Sequence, residues 1–246
     1  MNFLHHRPVI TRVAERHWHA LDDDRVVGRA EASPRPDGRL FLSIDTWHDA
    51  DFAPLAAAML PELPRPLYTV VDDADRELRS RWESAGFTLR RREGEYLVAT
   101  APGAVPPPPG VTIGPPSDPD LLRELAASIR AEVDATIGWQ EMPAEVMAPP
   151  LDLTKYTVAA SEDGYVGLLR LAAVPRQPRI GLLAIRADRR RSGIGRAVLT
   201  HVLDALHHKG VTAASAEVND ANPAAVALFE GVGARGVGGN VELVLR

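Results

Sequence analysis

"RRRSGIGRAVL", Arg189–Leu199, places three consecutive arginines before two glycines one residue apart. The segment then enters an apolar pattern of helical period: Ile194, Ala197, Val198, Val202, Ala205 and Leu206, closed by Lys209-Gly210. Upstream, Arg179–Ile185 (RIGLLAI) reads as a buried strand, and downstream Val211–Val218 reads as another. Strand, loop, helix and strand in that order imply a parallel pair of strands. Glycines at the strand-to-helix turn let backbone amides approach a ligand, and a helix N-terminus presents unpaired N–H groups at its positive end. Such a place suits a phosphate, and Arg190, Arg191 and Arg196 add charge within reach of a pyrophosphate. The competing reading is a solvated basic turn whose glycines only permit close packing. No Lys-Ser or Lys-Thr follows, so this is not a Walker loop, and the third glycine of the dinucleotide fingerprint is missing.

Further elements extend outward from this unit. Asp118 or Asp120 caps an expected helix carrying Leu121, Leu122, Leu125 and Ile129, and a second helical region is expected at Pro143–Met147. Lys155–Ala160 and Tyr165–Val174 read as strands joined by the turn SEDG. Pro223–Glu230 reads as a short helix and Val241–Leu245 as a last strand. The fold class expected is therefore α/β with a mixed sheet flanked by helices.

Two motifs in this order resemble the GNAT N-acetyltransferases. In "IRADRRRSGIG", Ile185–Gly195, the residues Arg190, Gly193 and Gly195 match that family's acetyl-CoA loop. In "VNDANPAAVALFEGVGA", Val218–Ala234, the residues Asn222, Ala225, Leu228 and Phe229 match its second signature. The resemblance covers roughly Val111 to Arg246 and implies a mixed sheet splayed at its parallel pair, with acetyl-CoA as cofactor. The pantetheine arm would pair with the backbone of Leu183, Ala184 and Ile185. The pyrophosphate would meet Arg190, Arg191, Ser192, Gly193, Ile194, Gly195 and Arg196, and Asn222 and Phe229 would lie beside the pantetheine.

The implied reaction is direct attack of a primary amine on the thioester. An amine of pKa about 10 must first lose a proton, so a base is needed. Glu217 resembles the base of the ribosomal-protein alanine acetyltransferases; the alternative is a strand-end carboxylate paired with a basic neighbour. A backbone N–H near Ala184 or Ile185 would stabilise the oxyanion. Phe229 stands where many members of the family have a tyrosine that protonates the leaving thiolate, and phenylalanine has no proton to give. A thiol of pKa about 8.5 leaves tolerably without that acid. Ala234 likewise replaces the usual Phe of the family's Leu-Gly-Phe. In the family, the segment after the first helix lines the acceptor site, here Arg130–Met147, with Glu132, Asp134, Trp139, Glu141 and Glu145 as candidates. A solvated helix face is the alternative for these carboxylates.

The first half contains a fainter copy. "VVDDADRELRSRWESAGF", Val70–Phe87, aligns without a gap on Glu217–Ala234 at a constant offset of 147 residues, setting Val71 on Val218, Asp75 on Asn222, Trp82 on Phe229 and Gly86 on Gly233. Arg39–Asp45 corresponds to Arg179–Ile185, and between these anchors the first copy is shorter by seven residues. The shortened part, "TWHDADFAPLAAAML", lacks the arginines and the glycine pair and offers Asp49 and Asp51, which repel phosphate. The expected organisation is a degenerate domain at 1–100, a Pro-rich linker at 101–119 and a cofactor-binding domain at 111–246. Mycothiol synthases are similar in carrying two such domains in one chain. One acetyl-CoA per chain is expected, the protein being a monomeric pseudo-dimer or a homodimer.

Composition narrows the function classes. At 246 residues and 45% hydrophobic content the chain supports packed cores. A net charge of −5 argues against nucleic acid as a partner. There is no cysteine, which excludes disulfides, thiolate metal sites and a catalytic thiol. No stretch approaches the about 20 apolar residues of a membrane helix, so no membrane partner and a cytoplasmic location are expected. His5-His6, His17 with His19, and His207-His208 have no acidic partner at diagnostic spacing, and no metal site is expected. Asp22–Asp24 reads as a polar turn, and Trp18, Trp47 and Trp82 as packing residues. Two functions of different class follow: an N-acetyltransferase acting on a small-molecule or peptide amine, or a non-catalytic acyl-CoA-binding sensor.

Overall fold

The computed structural model describes residues 8–101, 103–143, 146, 151–172 and 177–246. The chain divides into two compact units, 1–92 with 239–246 and 93–238. The boundary thus falls ahead of the expected Pro-rich linker. That segment instead lies along a helix of the second unit. Gly103 N–H donates to Asp204 at 3.0 Å, Val105 N–H donates to Thr200 at 3.0 Å, and Pro108 lies beside Gly193. Prolines have no N–H to give a sheet, so the segment runs as a strap over the helix rather than as a strand.

The first unit contains β1 (Val9–Ala14), β2 (His17–Asp22), β3 (Arg25–Pro34), β4 (Leu40–Thr46), α1 (Phe52–Met59), β5 (Leu67–Asp72) and α2 (Arg76–Ser84). Its strand order is β1-β2-β3-β4-β5, extended beyond β5 by the end of the last strand of the chain, β12 (Arg235–Leu245), whose Asn240–Leu245 pair antiparallel with β5. Asp23 and Asp24 take positive φ at the β2–β3 turn, as a tight hairpin requires. Trp18 and Trp82 are buried in the core of this unit, with Phe52 and Phe87 edge-on to Trp82. Trp47 departs from its expected packing role: it is 78% exposed, because it follows the end of β4 and turns outward.

The second unit contains the end of β6 (Thr88–Ala99), β7 (Thr112–Gly114), α3 (Pro119–Asp134), β8 (Tyr156–Ser161), β9 (Gly164–Ala172), β10 (Arg179–Ile185), α4 (Ile194–His208), β11 (Ala213–Asn219) and α5 (Pro223–Gly231). Its order is β6-β11-β10-β9-β8-β7. Asp118 caps α3, accepting from Asp120 and Leu121 N–H. Leu122, Leu125 and Ile129 of α3 pack with Tyr156, Val158 and Leu168 on one face of the sheet, while α4 and α5 bury Val198, Val202 and Phe229 with Val218 on the other. Most of the expected helix at Pro143–Met147, with Glu145, lies outside the described residues, as do His5 and His6.

Among the described residues each unit has one parallel pair, and both pairs open early. In the second unit only Arg179 and Ile180 of β10 pair with β11, while β10 continues against β9 to Ile185. In the first only Leu40 and Phe41 pair with β5, while β4 continues against β3. The aligned positions of the two sequence copies coincide structurally. Asp75 and Asn222 both cap a helix through Oδ1, Val71 and Val218 are both buried, and Gly86 and Gly233 both take positive φ.

The strand register differs by one from the sequence alignment. Thr46, not Asp45, holds the place of Ile185: each faces a glycine across its hairpin, Gly28 and Gly167. The residue that follows each donates in the same way, Trp47 N–H to Val27 and Arg186 N–H to Val166. A bulge in β10 between Ile180 and Leu182, which the β3–β4 pair lacks, changes the offset by a further residue, so that Phe41 holds the place of Arg179.

Candidate cofactor and acceptor site

The loop Arg186–Gly193 connects β10 to α4. Gly193 is the N-cap in left-handed backbone, φ 91°, a conformation that costs any residue with a Cβ about 1–2 kcal/mol. Arg191 precedes it with φ 60°. No side chain caps α4, and the first-turn N–H groups of Ile194, Gly195 and Arg196 have no intrahelical acceptor. Ala197 N–H is the first to bond within the helix, to Gly193. First-turn amides without intrahelical acceptors, a positive dipole end and the exposed Arg191 are together suited to an anion.

The neighbouring arginines are employed differently. Arg190 donates from Nε to Ile185 O at 3.0 Å and from Nη2 to Glu132 at 2.9 Å, Arg189 pairs with Asp163, and Arg196 reaches Gly231 O at 3.1 Å. They shape the loop, and its open N–H groups remain available to a ligand.

Glu132, expected at the acceptor site, faces the loop after β10. From α3 its carboxylate accepts from Ala187 N–H at 3.0 Å and from Arg190, so it braces the loop Arg186–Gly193. Asp134 closes the turn after α3 by accepting from Trp139 N–H at 3.0 Å, Trp139 is buried with Arg130 over its ring, and Glu141 is exposed. None of these four lines the hollow beside Glu217. Their helical spacing with acidic character was the only sequence signal, and it is equally that of a capped helix end.

Strand alternation decides which backbone groups face the gap between β10 and β11. Arg186 N–H points to β9, where it meets Val166. At period two, Ala184 turns to β9 as well, whereas Leu183 and Ile185 face the gap. Of the two residues expected to donate to an oxyanion, Ile185 has the required direction and Ala184 does not.

Asn222 Oδ1 caps α5 by accepting from Ala225 N–H at 3.1 Å. An accepting oxygen there fixes the amide orientation and leaves Nδ2, two donors on an exposed side chain, free for a ligand. Asp75 makes the same cap in the first unit, accepting from Leu78 N–H at 2.9 Å, but has no such donor. Phe229 is buried in the α4–α5 core and stacks on Tyr96 with ring centroids 6.3 Å apart.

On the opposite face of the sheet, toward α3, a hollow of about 40 Å³ is bounded by Pro143, Val146, Ile180 and Gly181 and by the charged side chains of Glu93, Arg170, Arg179 and Glu217. Glu217 accepts from Arg179 Nη1 at 3.0 Å, both side chains being about one-third exposed. The pairing that competed with the base assignment is thus present. Arg170 and Arg179 each keep a buried Nε without a hydrogen bond. Beside Arg170, burial pushes the Tyr156 phenol up from its usual pKa, and the Arg170 guanidinium opposes that rise. Sequence reading missed Glu93, Arg170 and Arg179, which belong to no motif and meet only through strand order.

A larger cavity of about 380 Å³ lies in the first unit between α1 and α2, lined by Ala53, Ala56, Ala57, Ser80 and Ser84. Asp49 at its edge pairs with Arg81 at 2.7 Å, and Asp51 stands at the N-cap position of α1 without a side-chain capping bond. Acidic groups at this helix start, without a glycine cap, are the reverse of the arrangement at α4. No cluster able to hold a metal ion occurs among the described residues, and none of their helices is long and apolar enough to cross a membrane.

Residues 122–234, the span from α3 through the loop Arg186–Gly193 to the end of α5, match the Acetyltransferase (GNAT) family. Over this span the chain is similar to the GNAT acetyltransferases. A stretch of 51 residues, 21% of this chain, is 43% identical to the [Ribosomal protein bS18]-alanine N-acetyltransferase of Escherichia coli K12, of which it spans 34%. The chain therefore spans about a third of the length of the curated relatives it matches. Among solved structures, a GCN5-related N-acetyltransferase from Sphaerobacter thermophilus superposes with TM-score 0.70 at 15% identity, covering 96% of this chain and 82% of that one. A tandem GNAT protein from the clavulanic acid biosynthesis pathway superposes with TM-score 0.63 at 15% identity, covering 93% and 82%. At such identities the likeness extends to the GNAT fold, which both units' early-opening parallel pairs express.

Proposed function

We propose that the protein is an acetyl-CoA-dependent N-acetyltransferase acting on a primary amine, with one cofactor site per chain in the second unit. The observation that carries this is the uncapped, glycine-led N-terminus of α4 facing the gap between β10 and β11. Bound there, acetyl-CoA supplies an activated acetyl thioester. The N–H groups of Gly193 to Arg196 hold the pyrophosphate, Leu183 and Ile185 pair with the pantetheine arm, and Asn222 Nδ2 donates to it. Glu217, on the other face of the opened pair, takes the proton of the attacking amine; Arg179 holds the carboxylate in place. Ile185 N–H stabilises the oxyanion. Phe229 supplies no proton to the leaving sulfur, so that proton comes from water or from the ammonium formed on attack.

The first unit is read as a second copy of the fold that has lost its cofactor site. Its β4–α1 connection is short, six positions from Thr46 to Phe52 against nine from Ile185 to Ile194, and α1 has 8 residues against 15 in α4. Equilibrium binding of acetyl-CoA followed by turnover on an amine panel tests the proposal. Binding without turnover on any amine would favour the acyl-CoA sensor.

A further inference from the structure

The hollow beside Glu217 holds a guanidinium that the proposed acyl transfer does not use. Arg170 lies on β9, on the face that carries Tyr156 and Leu168 and packs against α3. Its Nη1 lies 3.4 Å from where a Cβ on Gly181 would stand, so the guanidinium lies against the bulge of β10. Its Nε is buried with no hydrogen-bond partner, and among the described residues its side chain makes no ion pair, although Glu93 also borders the hollow. A cation held at a protein wall without a carboxylate is costly unless a ligand completes it. Arg179, its neighbour in the hollow, is by contrast neutralised by Glu217. A planar guanidinium with open donors is the group best matched to a carboxylate.

The geometry points to Arg170 as the anchor for a carboxylate on the acceptor, so that the substrate is a small zwitterion, a free amino acid, rather than a plain amine or a peptide N-terminus. This rests on the assignment of the Glu217 side as the acceptor side. The hollow, about 40 Å³, is large enough for a carboxylate-sized head and little more, and it brings Arg170 and Glu217 to the same small space. Amine and carboxylate must therefore be separated by few bonds. In an ordinary peptide the group next to the amine is a neutral amide, which leaves the Arg170 charge unmatched.

The test uses the full chain with saturating acetyl-CoA and three matched sets of acceptors: free amino acids, the corresponding amino-acid amides, and the amines left when the carboxylate is removed. The expected kcat/KM is about 10- to 100-fold higher for the free acids, the range of a hydrogen bond to a charged group. Arg170→Met should bring the ratio of acid to amide toward one and raise KM for the acid more than it lowers kcat, while Arg170→Lys restores part of the preference. Unchanged binding of acetyl-CoA by Arg170→Met shows that the variant is folded. Equal rates on acids and amides in the wild type, no detectable use of any free acid, or an unaltered ratio in Arg170→Met would each overturn the assignment. Failure of the wild type to bind acetyl-CoA would overturn instead the acetyltransferase proposal beneath it.

Discussion

Asn222 is assigned two separable tasks, and one atom of difference separates them. Its Oδ1 caps α5 at 3.1 Å from Ala225 N–H, and its Nδ2 is left to donate to the pantetheine. Asn222→Ala removes both, costing about 1 kcal/mol of stability for the lost cap, or about 2–4 °C in Tm for a chain of this size. Asn222→Asp keeps an accepting oxygen and places a negative charge at a helix N-terminus, where the dipole favours it, as Asp75 does in the first unit. Its stability should equal or slightly exceed the wild type, yet its acetyl-CoA affinity should fall about 2- to 10-fold, the net worth of one neutral hydrogen bond. Thermal unfolding and calorimetric titration on the two variants read these effects independently. If Asn222→Asp melts as low as Asn222→Ala, the oxygen is not the cap; if it binds acetyl-CoA as tightly as the wild type, the amide does not touch the cofactor.

Other residues give sharper contrasts. Gly193→Val places a branched side chain at φ 91° and should abolish acetyl-CoA binding, with a stability loss of at least about 1–2 kcal/mol; retained binding in calorimetry would remove the α4 N-terminus from the site. Glu132→Gln loosens the brace on Ala187 and Arg190, so KM for acetyl-CoA should rise while KM for the amine stays level; steady-state kinetics showing the reverse would return Glu132 to the acceptor site. Glu217→Gln should lower turnover by about 10²–10⁴ as a lost base, but destabilise by no more than about 1 kcal/mol because its ion pair with Arg179 is partly exposed. Phe229→Tyr should leave turnover unchanged or raise it, and a clear loss in a rate assay would show that the buried ring stacked on Tyr96 tolerates no hydroxyl.

Much of this organisation was legible in local sequence because local rules produce it. Glycine after a strand and before an apolar 3.6-residue period yields the α4 cap, and a side-chain acceptor three residues before a free N–H yields the Asn222 and Asp75 caps at a constant offset. What was not legible depends on where strands meet. Arg170, Arg179, Glu93 and Glu217 come from four strands, and only the order β6-β11-β10-β9 collects them. The offset between the copies also changes along β10 at the bulge around Gly181, and a glycine in a strand does not by itself distinguish a bulge from a close packing contact. The contact of Glu132 with the loop after β10 is hidden for a related reason: spacing on α3 gives its position on the helix but not that the loop folds back onto it. The Pro-rich segment reads in sequence as a spacer, yet two side chains of α4 hold its N–H groups and draw it into the second unit.

Calorimetric titration of acetyl-CoA into the full-length protein, with the number of sites as the readout, bears most directly on the central claim. One site per chain, eliminated by Gly193→Val and untouched by substitution of Asp49 in the first unit, is the predicted result. Two equivalent sites, or none, would contradict it.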